Sequence, residues 1–403
     1  MDTGDTAWML MASALVLLMT PGLAFFYGGL VRSKNIVNTM MFSFMAMAVA
    51  SVVWVLWGYS LAFGEGGRFI GDLSHIGLKD IQLDSMSGSI PTLLFVIFQM
   101  MFAIITPALI TGAIVERFKF TTYLVFLVLW LTLVYAPIAH WVWASNGWLF
   151  DMGALDFAGG TVVHINAAIA AVAAAMLVGK RRNPGAEPSN VPYVMLGAAL
   201  LWFGWFGFNA GSGLAANGLA VNAFLVTNTA AAASILTWGV LSQIQHRRMS
   251  AVGVTTAAVG GLVAITPAAG FVGVMGGLAI GFGAGVLCYG AVLLRPKTGL
   301  DDSLDVFAVH GIGGIWGALA TGIFAVAAIG GTAGLIEGNG SQMGVQAIGV
   351  LATLLWSGIV TLIILKVLDW VPGLGLRATQ LAEDQGMDIA AHGERAAVHD
   401  GAD

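Results

Sequence analysis

Ala158-Gly-Gly-Thr-Val-Val-His164-Ile-Asn-Ala-Ala-Ile-Ala-Ala-Val-Ala-Ala-Ala-Met-Leu-Val178, followed at once by Gly179-Lys180-Arg181-Arg182, decides the fold class of this 403-residue chain. An uncharged apolar run of about 20 residues is long enough to cross a bilayer as a helix, and the cations behind it anchor one end. Outward from residues 158–178, comparable runs recur at approximately 8–31, 36–63, 90–115, 120–140, 191–210, 219–243, 251–268, 270–294, 306–329 and 343–370. The chain therefore reads as an all-α polytopic membrane protein with eleven transmembrane helices. Residues 1–370 form the membrane domain and 371–403 a tail.

Composition supports the same class. Apolar residues make up 58% of the chain and charged residues only 9%, against roughly a quarter charged in soluble domains. Glycine, 55 residues, runs at about twice its usual share and suits helices packed backbone to backbone. The single cysteine, Cys288, excludes an intrachain disulfide framework and a cysteine-rich metal site. Nothing in the pattern points to nucleic acid.

Loop charges test the span count independently. Every Lys and Arg except Arg68 and Lys79 lies at or beyond the end of an odd-numbered span. The positive-inside rule then places the N-terminus outside and the C-terminus in the cytoplasm of a plasma membrane, the inner membrane in a two-membrane cell.

Ten spans plus one suggest an inverted five-helix repeat, because a tandem unit with an odd number of spans inserts in opposite orientations. The first repeat covers about 8–178 and the second about 191–329. The final helix, 343–370, is 28 residues long; at roughly 42 Å against a core of about 30 Å it is expected to tilt. Gly273, Gly277, Gly281 and Gly285 recur at four-residue intervals in span nine and mark a face for close helix packing.

His164 and His310 lie on the last spans of the two repeats. An ionisable side chain at membrane depth is costly and normally faces a bundle interior or a pathway, and paired imidazoles can pass a proton. As interhelical glue either would contribute about 1 kcal/mol; equivalent positions in both halves favour a joint role. Counted along straight helices the two would sit at different heights. Contact requires tilt or an irregular start to span ten, which the glycines at 311, 313 and 314 permit.

Asp156 precedes Phe157-Ala-Gly-Gly160 at the start of span five, where it can cap free backbone N–H groups and also draw a cation. Asp305 reads as a cap for span ten. The tryptophan-rich ends of the spans fit an interfacial belt, although an aromatic face beside a hydroxyl also makes a cation site.

The residues Pro21-Gly-Leu-Ala-Phe-Phe-Tyr-Gly-Gly-Leu-Val-Arg32, Ala136-Pro-Ile-Ala-His-Trp-Val-Trp143, Asp156-Phe-Ala-Gly-Gly-Thr-Val-Val-His164, Gly204-Trp-Phe-Gly-Phe-Asn-Ala-Gly-Ser212 and Asp301-Asp-Ser-Leu-Asp-Val-Phe-Ala-Val-His310 resemble the bacterial-type Amt class of ammonium transporters over nearly the whole length. The resemblance implies a homotrimer with one pore per subunit. It assigns Phe102, Trp143 and Ser212 to an external ammonium site, Phe102 and Phe208 to a gate, Asp156 to binding and deprotonation, and His164, His310 and Trp205 to the pore. It implies ammonium or ammonia as substrate, with methylammonium as a further candidate, no cofactor and no enzymatic activity. The tail resembles a region where PII-type signal proteins dock, although its ending, Val398 to Asp403, departs from the expected pattern. Ammonium import by deprotonation and proton relay is the leading expectation. A passive ammonia channel and an ammonium sensor that recruits a cytosolic regulator through its tail are the alternatives.

Overall fold

A computed structural model describes residues 1–185 and 187–397. The divergent ending, Val398 to Asp403, lies outside the described residues. Ten helices are long and apolar enough to cross a membrane: α1 Thr3–Leu30, α2 Ser33–Phe63, α3 Thr92–Ala113, α4 Phe120–Asp151, α5 Gly160–Val178, α6 Val191–Gly211, α7 Gly218–His246, α9 Val274–Thr298, α10 Phe307–Phe324 and α11 Ser341–Trp370. The eleventh, α8, is the shorter apolar helix Ala251–Ile265. The expected eighth span stops early because Thr266 and Pro267 open a turn that is itself buried.

Local signals explain several starts. Asp2 accepts from Asp5 N at the head of α1, Asn190 from Tyr193 N at α6, Asn217 from Leu219 N and Ala220 N at α7, and Ser250 from Gly253 N at α8. Each side chain satisfies donors that a first helical turn leaves free.

The two repeats meet most extensively along α1 and α6, their first helices. Small residues allow it. A Cβ at Gly197 would stand 2.2 Å from Phe26 N, and one at Gly204 2.6 Å from Leu15 O, so only glycine lets these backbones touch. The α7–α9 contact in the second repeat answers the glycine ladder. Gly277, Gly281 and Gly285 press on Val226, Ala230 and Thr237, whereas Gly273 lies just ahead of α9 and meets only Ile329. The final helix α11, 30 residues long, runs across α5, α10 and α4.

One face of the bundle carries most of the basic residues and the tail. Buried Arg117 organises it: Nε donates to Gly179 O, one terminal nitrogen to Val115 O and Ser303 Oγ, and the other to Ala113 O and Asp301 O. All five guanidinium N–H donors are thereby matched, which joins the loops after α3, α5 and α9. Around it Arg32 pairs with Glu116 at 3.0 Å and Arg181 with Asp301 at 2.9 Å. Burial pushes the Arg117 guanidinium down to about 10 although Asp301 beside it pulls the other way; it remains charged near neutrality.

The tail returns onto this face. Its two short helices are α12 Gln380–Gln385 and α13 Met387–His392. Asn38 N donates to Asp388 at 2.8 Å and Met387 N to Asn35 Oδ1 at 2.9 Å, so the tail supplies a cap that the start of α2 lacks from its own side chains.

Candidate functional site

The two histidines meet. His164 Nδ1 and His310 Nδ1 are 3.2 Å apart, both side chains are buried, and the rings lie 24° from parallel. One Nδ1 donates while the other accepts, so the contact holds a single proton. The height mismatch of straight helices disappears because α5 opens with a π turn over Gly160–Ile165 and α10 with another over Phe307–Gly311. Each histidine is the next-to-last residue of its turn. A π turn carries an extra residue and redirects the side chains on it.

What starts α5 at this depth is Asp156. Its Oδ1 accepts from Gly159 N and Gly160 N, and its Oδ2 from Thr161 N, Thr161 Oγ1 and Val162 N. Gly159 precedes the helix with a left-handed φ of 113°, a conformation that glycine adopts without strain. A Cβ at Gly160 would fall 2.6 Å from Pro267, so the turn after α8 packs directly on the start of α5. The carboxylate is fully occupied by these donors, and it reaches anything in the cavity above only through its charge.

Span ten repeats the device with a different residue from the one expected. Asp302, not Asp305, accepts from Val306 N and Phe307 N. The sequence carried the signal: Asp302 stands eight residues before His310, as Asp156 stands eight before His164. Asp305 takes a left-handed φ of 59° and pairs instead with Arg295 of α9.

Three cavities line up through the bundle. On the face opposite the tail, a vestibule of about 260 Å³ brings Phe102, Trp143, Asp156 and Ser212 together. Trp143 Nε1 donates to Asp156 O at 3.0 Å, which fixes the indole, and Ser212 Oγ donates to Phe208 O at 2.9 Å, leaving its lone pairs free. Phe102 and Phe208 close the floor, ring centroids 4.4 Å apart, with Trp143 5.6 Å from Phe102. Beneath them a narrow apolar passage runs past Ile105, Leu201 and Val259 to both histidines. Trp205 lies 5.4 Å from His164, ring over ring, and is held by its donation to Thr266 Oγ1 at 2.8 Å. A cavity of about 200 Å³ on the basic face, bordered by Tyr27, Ser303, Asp305 and His310, completes the path.

Phe102, Trp143, Asp156, His164, Trp205, Phe208, Ser212 and His310 thus all line or support this path. Three others belong to it: Asp302, which sits unremarked inside the Asp301–His310 stretch, and two outside any motif, Thr266 and Gln99, whose side chain lines the vestibule one helical turn before Phe102. Gln99 could have been picked out as the polar residue in the apolar helix α3 on the face of Phe95 and Phe102.

The sequence matches the model of the Ammonium Transporter Family over residues 7–397. It is 48% identical over 402 residues to an ammonium transporter of Bacillus subtilis, covering 98% of this chain and 99% of that one. The fold is similar to the crystal structure of Saccharomyces cerevisiae Mep2, with a TM-score of 0.88 and 38% identity over 94% of this chain and 88% of the other. A solved sensor Amt protein superposes with a TM-score of 0.89 at 31% identity, covering 96% and 98%. With apolar helices packed around a lined path and a family match across nearly all its length, this chain belongs to the ammonium transporter family.

Proposed function

We propose that this protein imports ammonium as ammonia plus a separately routed proton, working as a homotrimer in the plasma membrane with the tail and its basic face in the cytoplasm. The observation that carries the reading is the continuous series of vestibule, aromatic floor, apolar passage and facing histidines. Ammonium is held in the vestibule above the Phe102 floor and against Trp143 by the electrostatics of the ring faces and by Ser212 Oγ, with the Asp156 charge nearby. A bare cation entering the apolar passage would meet an idealised penalty of tens of kcal/mol, whereas ammonia does not. Ammonium therefore gives up one proton at the floor, and ammonia passes Phe102 and Phe208 as they swing apart.

The proton follows the imidazoles. His164 accepts at Nε2, which has no partner among the described residues, while its Nδ1 proton passes to His310 Nδ1 and the Nε2 proton of His310 leaves on the cytoplasmic side. The hop leaves both imidazoles in the opposite tautomers, and their return to the starting ones closes the cycle; ammonia recombines with a proton in the cytoplasmic cavity, so each completed cycle moves one positive charge. No nucleophile with its base takes part, and the protein acts as a transporter rather than an enzyme.

The test is current across planar bilayers holding the purified protein. Ammonium is expected to evoke current and potassium at the same concentration none, because potassium has no proton to release. A passive ammonia channel would give flux without current. The likeness to a sensor Amt protein supports a second reading, in which the tail reports ammonium by recruiting a cytosolic partner such as a PII-type protein. Removal of residues 380–403 leaves ammonium uptake largely intact if transport is primary; its complete loss in an otherwise folded protein favours the sensor.

A further inference from the structure

The polar atoms of the vestibule are mostly spoken for. Asp156 spends both carboxylate oxygens on the start of α5, and the indole N–H of Trp143 is committed to Asp156 O. Ser212 Oγ is one acceptor left over. Gln99 can supply the other: its side chain is nine-tenths buried and lines the same cavity, and its Oε1, itself shut off from open space, has no hydrogen-bond partner among the described residues. It lies on the stripe of α3 that also carries Phe95 and Phe102. A buried carboxamide oxygen without a donor is costly, and the two ends of the amide exchange by rotation about one bond. A ligand that brings N–H donors and no acceptors favours the oxygen turned toward the cavity.

We propose that Gln99 is a further substrate-binding residue of the external site, accepting a hydrogen bond from the incoming ammonium through Oε1 in the cavity it shares with Ser212. Ammonium offers four N–H donors to two oxygens and two ring faces, so a second oxygen raises its affinity. This rests on the import reading above. The step is binding alone; no bond is made or broken.

The experiment measures the ammonium concentration that gives half-maximal current in proteoliposomes for wild type, Gln99→Met and Gln99→Glu. Methionine keeps length and volume and removes the acceptor; glutamate keeps the acceptor. Loss of a charge-assisted hydrogen bond predicts a rise of roughly tenfold in Gln99→Met, with maximal current changed less than twofold and with Gln99→Glu at or below the wild-type value. Half-saturation within twofold of wild type in Gln99→Met, or an equal rise in both variants, overturns the proposal. Should Gln99→Met fail to assemble, Gln99→Leu takes its place with the same expectation. Absence of current in the wild type itself instead counts against the import reading, which keeps the two failures apart.

Discussion

His164 and His310, 146 positions apart in sequence, approach through their Nδ1 atoms at 3.2 Å, each carried by a π turn at the buried start of its own helix. Two helices of opposite direction can bring their first turns together only near the middle of the bundle. Both starts must then satisfy free N–H groups without water, and Asp156 and Asp302 do so from equivalent positions.

Asp156 separates capping from charge. Asp156→Ala strips the acceptor from five donors and is expected to destabilise the protein by on the order of 3 kcal/mol or more, seen as a lower thermal midpoint in detergent. Asp156→Asn keeps one oxygen, so the fold should persist while ammonium-evoked current drops. Full current in Asp156→Asn would reduce the residue to a structural role.

Arg117 is matched donor for donor, and lysine offers one point charge with three donors. Arg117→Lys should therefore leave buried carbonyls unpaired and cost about 2 kcal/mol or more. Proteolysis of detergent-solubilised protein should become faster at the loops near Val115, Gly179 and Ser303. Cleavage as slow as in the wild type would contradict the keystone role.

Asp302 carries a pH signature. Burial, opposed by the N–H of Phe307 and reinforced by Asp305, pushes its carboxyl up to about 6. A carboxyl raised in the folded state contributes stability that is complete below its ordinary value and is lost as pH rises through the folded one. Acidifying from about pH 7.5 to about pH 5 should raise the thermal midpoint of wild type more than that of Asp302→Asn, which caps but does not titrate. Parallel curves for the two proteins would remove this account.

Much of this was legible before any coordinates, and the failures are local. Span number followed from run length and charge alternation, which depend on nothing beyond the bilayer. The convergence of Phe102, Trp143 and Ser212 came from motif resemblance alone, because three residues on α3, α4 and the end of α6 share no periodicity. An irregular start to span ten was one of two routes the sequence allowed for histidine contact, through the glycines at 311, 313 and 314, and a π turn stands there. Its counterpart at His164 was hidden, because it arises from packing and the Asp156 cap and an apolar window reads the same with or without it. Asp305 reads from sequence as the cap of span ten, yet its left-handed backbone and its partner Arg295 take it out of the capping position, which Asp302 fills. Gln99 was passed over because a single glutamine in an apolar helix gains meaning only when the cavity it faces is known.

The central claim, that ammonium is split and its proton crosses through the facing imidazoles, is tested most directly by charge movement in proteoliposomes holding wild type, His164→Ala or His310→Ala. Ammonium pulses are expected to move charge in the wild type and none above background in either variant, with all three proteins eluting as the same assembly. Undiminished charge movement in both alanine variants would contradict the account.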